Sequence, residues 1–426
     1  MLAAGCGSAV AASDRFPPPR LPVRIHWSVD LRAGVNGSPV NDGERIYLAL
    51  KTAHVAALAP SDGHELWRIA KDVTTSMTAA DGTLFLPLAD AIEAVRAKDG
   101  ATLWVAPRIQ AVAPLVANGG LLLVATDTEI VALKAADGQV AWRTAAGGVR
   151  QPPAVDGDRV FVGANDGRLV ALAHADGTVV WQQFIQDGVT TLAAHRGLVY
   201  VGGGDKQLYC LDARRGSSKW SYRIGSQISG RIGVDDDHVY VTALDNVVRA
   251  LDRQTGNMRW QYGLKRRPIG GVRVSGHIVF VQASGTEVLM LLAGNGKESG
   301  SIILPGETTR ETPPDVQEMT DGVRAVVVTG GLSNQWKLTL IGPAAELATE
   351  PFDTFTIPGW MFLTDPQTAP VGRVLPWLIL GDPGLNPARG LEWPVVLRDP
   401  PLQPLTTMPG EQLRPLSPVL PVRRGA

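Results

Sequence analysis

The chain is poor in several things that common protein classes depend on. Cysteine is scarce, with Cys6 and Cys210 alone among 426 residues. Two thiols so far apart cannot staple a small fold, and neither stands at metal-ligand spacing, so a disulfide framework and a Cys-based zinc site are excluded. An excess of either charge is missing: 40 Lys and Arg face 41 Asp and Glu, a formal net charge of −1. A nucleic-acid binder would carry a basic bias, so that class is excluded too. No apolar run reaches the roughly 18 residues that a membrane helix needs. Aromatics make up 6 %, whereas Gly (47) and Pro (31) are abundant. Such a mixture favours turns and short strands over long helices.

What is present is a repeat. A Gly-x-x-x-Trp phrase ends at Trp67 ("PSDGHELW"), Trp104, Trp142, Trp181 ("HADGTVVW"), Trp220 and Trp260, at spacings of 37 to 40 residues. Six residues before each of these glycines lies a small residue: Ala57, Ala94, Ala132, Ala171, Cys210 or Ala250. The surrounding runs are short, apolar and partly alternating, so they read as strands. The small residue is expected where a neighbouring sheet comes close. Cys210 then fills an alanine slot and is structural, not a reactive thiol.

Earlier in each unit a turn precedes a β-rich run, as in "NDGERIYLAL", "VDGDRVFVG" and "HRGLVYVGG". Eight such turns occur, at Gly43, Gly82, Gly119, Gly157, Gly197, Asp236, Gly276 and Gly322. Asp-Gly and Asn-Gly between apolar runs are strong hairpin signals, because these residues tolerate positive φ. A further turn follows each run. Four short antiparallel strands in about 40 residues make the blade of a β-propeller.

Two units lack the Trp. In "EVLMLLAGNGKESG", Met290 replaces the small residue and Gly300 stands where Trp is due. The last unit supplies three strands clearly. Trp27 lies 40 residues before Trp67 with no strands of its own ahead of it. The orphan first strand and the missing last one are expected to be the same, so residues 23–29 should close the ring. The fold class expected is all-β: an eight-bladed propeller of four-stranded blades, with a Pro-rich C-terminal extension. Closure removes the free sheet edges. Trp27, Trp67, Trp104, Trp142, Trp181, Trp220 and Trp260 are expected to dock each blade on the next. Burying one indole covers roughly 150–250 Å², an upper estimate of roughly 4–6 kcal/mol.

The phrases "CLDARRGSSKW" and "ALDRQTGNMRW" resemble the quinoprotein-type (PQQ-like) propeller repeat. The resemblance covers about residues 22–345 and is specific for fold, much less so for function. Two kinds of protein share the repeat: the quinoprotein dehydrogenases and non-enzymatic propellers that include the BamB-like outer-membrane assembly lipoproteins. The dehydrogenases need a divalent cation, a carboxylate base and flat walls for the quinone. They also place an adjacent Cys-Cys disulfide over the ring, and this chain has no Cys-Cys pair. Asp42, Asp81, Asp156, Asp166, Asp205 and Asp245 fall in turns, which explains them without catalysis. The seven His residues show no metal-ligand spacing. The resemblance therefore implies a non-enzymatic protein with no cofactor and no metal, and a quinoprotein-like enzyme or ligand sensor is the alternative.

The first residues, "MLAAGC", resemble the end of a bacterial lipoprotein signal, with Cys6 the lipidated residue. The charged and apolar stretches of such a signal do not precede it, so the true start is expected further upstream. Residues 7–20 are small, polar and Pro-rich, as suits a tether. Three segments follow: 1–21 lipoprotein-like start and tether, 22–352 propeller, 353–426 extension. The extension holds 14 of the 31 prolines. It carries Trp360, Trp377 and Trp393 in short apolar runs, and residues 352–397 are expected to pack on the propeller or serve as a partner-binding arm. Lys265, Arg266 and Arg267 form the one compact basic cluster. It reads as a solvated loop or as a contact for an acidic partner. The expected setting is the periplasmic face of the outer membrane, reached by a lipid anchor only. The expected partners are envelope proteins, the barrel-assembly machinery among them, for a monomeric scaffold.

Overall fold

A computed structural model describes residues 23–149, 151–285, 287–304, 315–318, 325–329 and 336–343, together with 356–357, 360–361, 374–380 and 391–396 of the C-terminal part. The chain divides into two compact units, Met1–Ala345 and Glu346–Ala426. Cys6 lies outside the described residues.

The first unit is a β-propeller without helices among the described residues. Seven successive segments (40–70, 78–107, 116–145, 154–184, 189–223, 228–263 and 268–303) each fold as four strands, hydrogen-bonded in chain order. We refer to these as the first to seventh blades. A further four-stranded sheet joins Asp315–Glu318, Ala325–Thr329 and Lys337–Pro343 to the N-terminal strand Val23–Asp30. The strand read from sequence as a closing strand thus pairs antiparallel with Lys337–Pro343, Trp27 opposite Leu340. Ser28 Oγ and Thr339 Oγ1 are linked at 3.0 Å.

Burial follows position within the blade. The second strand of the first blade, Ile46–Leu50, is buried at every residue, and the third, His54–Leu58, at four of five. Both faces of these strands meet a neighbouring sheet, so they read as continuous apolar runs. The outer strand Glu65–Ala70 instead alternates between exposed and half-buried. The core accordingly lies between blades. Tyr47, Val55 and Ala57 of the first blade pack with Leu84, Leu86 and Val95 of the second. Ile46 and Leu48, on the other face, pack with Val328, Leu338 and Leu340 of the closing sheet.

Asp side chains build the turns as the sequence indicated. Asp42 Oδ1 accepts the N–H groups of Glu44 and Arg45, and its Oδ2 accepts Tyr47 Oη at 2.5 Å. Asp166 and Asp205 accept the N–H two residues on in the same way.

In the C-terminal unit, Thr356–Ile357 pairs with Trp360–Met361, and Val374–Leu380 pairs with Leu391–Val396, both antiparallel. Trp360 and Trp393 stand in these strands, opposite Ile357 and Leu378. The sequence showed no hairpin repeat here, and these two short pairs do not repeat the blade pattern.

Candidate functional site

The repeated phrase resolves into one geometry at seven junctions. Each indole N–H donates to a backbone carbonyl of the next blade: Trp27 to Pro60, Trp67 to Ala97 and Trp104 to Ala135, each at 3.0 Å. Trp142 reaches His174 at 2.9 Å, Trp181 reaches Ala213 at 3.0 Å, Trp220 reaches Arg253 at 3.1 Å, and Trp260 reaches Ala293 at 2.7 Å. The glycine of the phrase serves two purposes. It takes positive φ in the turn (+71° at Gly177), and it seats the indole of the preceding blade. A Cβ on Gly177 would lie 2.4 Å from Trp142, and one on Gly216 would lie 2.6 Å from Trp181.

The small residue meets the neighbouring sheet, as its pattern suggested (Ala57 packs with Leu84, Leu86 and Val95 of the second blade), and it also faces an indole. Ala57, Ala94, Ala132, Ala171, Cys210 and Ala250 lie directly across the strand pair from the Trp of their own blade. Cross-strand partners point to the same face, so each small side chain makes room for its own blade's indole. Cys210 is fully buried. Burial pushes its thiol up to about 12, against the weaker opposing pull of Arg253 and Lys219. That environment makes an inert thiol, not a nucleophile.

Lys265, Arg266 and Arg267 lie in the loop between the sixth and seventh blades, and all three are exposed. Arg266 Nη1 reaches the Ser284 carbonyl at 3.4 Å. None of the three has an acidic partner among the described residues. On the same face of the fifth blade, the Lys206 carbonyl accepts the Ile224 N–H at 3.1 Å, which sets exposed Lys206 beside exposed Arg223.

The inner strands of six blades, with residues 151–153 just ahead of the fourth blade's inner strand, line one cavity of about 900 Å³. Its wall mixes Pro39, Pro114, Pro152 and Pro153 with hydroxyls and amides, Thr190, Thr191 and Gln151 among them. Gln151 Nε2 donates to the carbonyls of Val189 (3.2 Å) and Thr190. Two cations, Arg231 and Arg273, complete the wall, and its described lining contains no Asp or Glu. The sequence reading singled out neither arginine. Divalent cations are held by carboxylate and carbonyl oxygens. Among the described residues of the lining, the charged groups are the two guanidiniums. Among the described residues no three His, Cys, Asp or Glu side chains gather as a metal site.

Comparisons with known proteins bear on the fold and the family. BamB from Moraxella catarrhalis matches with a TM-score of 0.62 at 18 % identity, over 76 % of this chain and 99 % of that one. The computationally designed Ika8 protein matches with a TM-score of 0.62 at 16 % identity, over 74 % of this chain and 98 % of its own. The quinohemoprotein alcohol dehydrogenase ADHIIG from Pseudomonas putida HK5 matches with a TM-score of 0.60 at 13 % identity, over 78 % of each chain. At such identities these likenesses show the fold alone. No curated protein matches the sequence. The family model described as outer membrane protein assembly factor BamB matches residues 23–107, 88–192 and 184–338. On that span, which covers the described propeller almost end to end, the chain belongs to the PQQ_2 family of BamB-type outer-membrane assembly factors.

Proposed function

We propose that this chain is a non-catalytic scaffold of the bacterial envelope that supports assembly of outer-membrane β-barrel proteins. The family match across residues 23–338 carries the reading. In this reading the propeller is a ring of eight blades over residues 22–352, the first 21 residues are a tether lipidated at Cys6, and residues 353–426 are an extension. The lipid places a monomeric protein on the periplasmic face of the outer membrane. The seven Trp residues keep the ring rigid, and Lys265, Arg266 and Arg267 contact an acidic surface of a partner. Their exposure and lack of acidic neighbours among the described residues support that role. A dehydrogenase reading draws on the likeness to quinohemoprotein enzymes, but the cavity's described lining contains no Asp or Glu.

The test is capture in the native host. The protein is expressed with its upstream region, crosslinked mildly and recovered from the membrane fraction, beside a Cys6→Ala variant and a variant with Lys265, Arg266 and Arg267 changed to Gln. Recovery of barrel-assembly components with the wild type, lost with the Gln variant, is the expected result. A protein that stays out of the membrane fraction and brings down no envelope partner overturns the reading.

A further inference from the structure

Three Asn-Gly pairs occur in the chain, at Asn36, Asn118 and Asn295. In such a pair the glycine nitrogen can close on the asparagine side-chain amide, since glycine has no Cβ to stand in the way. Two of the three are held back. The Asn36 side-chain amide donates to the Val73 carbonyl. Asn295 Oδ1 accepts the Lys297 N–H at 2.9 Å, and the Gly296 nitrogen, which would have to attack, donates to the Leu292 carbonyl at 2.8 Å. Asn118 is placed differently. It opens the first hairpin turn of the third blade, opposite Leu121. Gly119 and Gly120 take φ of +55° and +77°, as a type I′ turn requires. Asn118, Gly119 and Gly120 are all exposed. Neither the Asn118 side-chain amide nor the Gly119 nitrogen has a hydrogen-bond partner among the described residues.

A side chain of the fourth blade acts on this turn. His174 Nε2 lies 3.2 Å from the Asn118 carbonyl oxygen. That oxygen can only accept, so this nitrogen carries a proton and donates it. The Asn118 carbonyl and the Gly119 N–H belong to one peptide group. A hydrogen bond to the oxygen favours the anion formed when the N–H gives up its proton. The imidazole sits over the turn: a Cβ on Gly119 would lie 3.0 Å from His174 Cε1. The blade itself does not need an imidazole there. Ala97, Ala135, Ala213 and Ala293 hold the same repeat position in other blades and accept an indole N–H through the same carbonyl. We propose that Asn118–Gly119 is a self-modification site, at which His174 promotes deamidation of Asn118. The Gly119 nitrogen loses its proton to a solvent base and bonds to Asn118 Cγ. Nδ2 takes a proton from water and leaves as ammonia, and water opens the resulting succinimide at either of its carbonyls. The product is an aspartate or an isoaspartate, the latter with an extra carbon in the main chain. The hairpin thereby gains a negative charge, and in the isoaspartate form it loses the register that sets position 118 against Leu121. The inference does not rest on the scaffold role.

The experiment is incubation of the full chain in mildly alkaline buffer, with timed digestion and mass spectrometry of the peptides that hold Asn36, Asn118 and Asn295. The mass change from amide to acid counts deamidation, and labelling by an isoaspartyl methyltransferase marks the isoaspartate. In the native protein position 118 should convert faster than the other two. His174→Ala installs the residue that four other blades carry at this place, so it should fold as the wild type does. It should slow conversion at position 118 about tenfold, which is what one pH unit of N–H acidity is worth, and leave positions 36 and 295 unchanged. In urea the three pairs share the same two residues and no fold, so their rates should converge. Conversion at 118 no faster than at 295, an equal or higher rate in His174→Ala, or the same lead of position 118 in urea each overturns the proposal.

Discussion

Met290 faces Gly300 across the third and fourth strands of the seventh blade, at the register position where Ala250 faces Trp260 in the sixth. The pair exchanges sizes: a small residue opposite an indole becomes a large one opposite no side chain. Met290 is 2 % exposed and packs with Phe280, Ile302 and Ile341, the last from the closing sheet. A flexible thioether fills the space the indole would take. The substitution is therefore a repacking of one cross-strand pair.

Size at this pair should be tightly set. Cys210→Met would press a longer side chain against Trp220 and is expected to cost about 1–3 kcal/mol. Met290→Ala would leave a cavity and cost about 2–5 kcal/mol. Urea titrations followed by circular dichroism check both. A neutral Cys210→Met would mean that the small residue is not making room for the indole.

A hairpin-turn glycine and a glycine of the phrase separate a turn effect from a packing effect. Gly157 has φ of +57° and nothing within 4 Å of a built Cβ, so Gly157→Ala should cost only about 1–2 kcal/mol of backbone strain. Gly256 has φ of +73°, and its Cβ would lie 2.6 Å from Trp220. Gly256→Ala should therefore cost about 1–3 kcal/mol more than Gly157→Ala. Trp220→Ala should cost about 3–5 kcal/mol. The comparison of unfolding midpoints is the measurement, and equal losses in the two glycine variants would count against the indole seat.

The buried thiol gives a reading of ring opening. With its pKa near 12 and no exposure, Cys210 should react with a thiol reagent orders of magnitude more slowly than a free cysteine at pH 8. In a Cys6→Ala background the reaction should become fast only in urea that unfolds the propeller. Fast labelling of the native protein would contradict the assignment of Cys210 as a structural residue.

Acid should weaken the sixth blade through Asp235. Burial acts to raise this carboxyl, but hydrogen bonds from His238, Tyr240 and backbone N–H groups outweigh it and hold the group at about 2, below its ordinary 3.8. Tyr240 Oη donates to Asp235 Oδ2 at 2.5 Å. Since the folded pKa lies below the unfolded one, the stabilisation is full above about pH 4 and is lost as pH falls towards 2. It amounts to about 2 kcal/mol. Asp235→Asn should lower stability at pH 7 by a similar amount and flatten its decline between pH 4 and 2. Urea midpoints across that range test the difference.

Much of the propeller was legible because its turns and outer strands repeat. The Gly-x-x-x-Trp phrase marked each fourth strand, and the 40-residue step from Trp27 to Trp67 identified the closing strand. The cavity was not legible. Inner strands such as Val40–Asn41 and Ala154–Asp156 are too short for a periodic signal, and their residues meet only in the assembled ring. Arg231 and Arg273 read as ordinary polar residues of two strands. The Gly-Arg of "ISGRIGV" and the Gly-Gly-Val-Arg of "PIGGVRV", in consecutive repeats, were the one available signal. Periodicity likewise pointed to the sheet beside Ala250 and its equivalents but not to the indole of their own blade that they face.

Strand Val23–Asp30 is synthesised before the seven blades, and its partner Lys337–Pro343 follows more than three hundred residues later. Until then an unpaired edge waits at the front of the chain. Contacts so distant in sequence form late and slowly, and a bare edge invites pairing with other chains. The ring can therefore be complete only after its last described blade strand has been made, so a chain cut short anywhere before that point would be left with two open edges instead of a smaller ring.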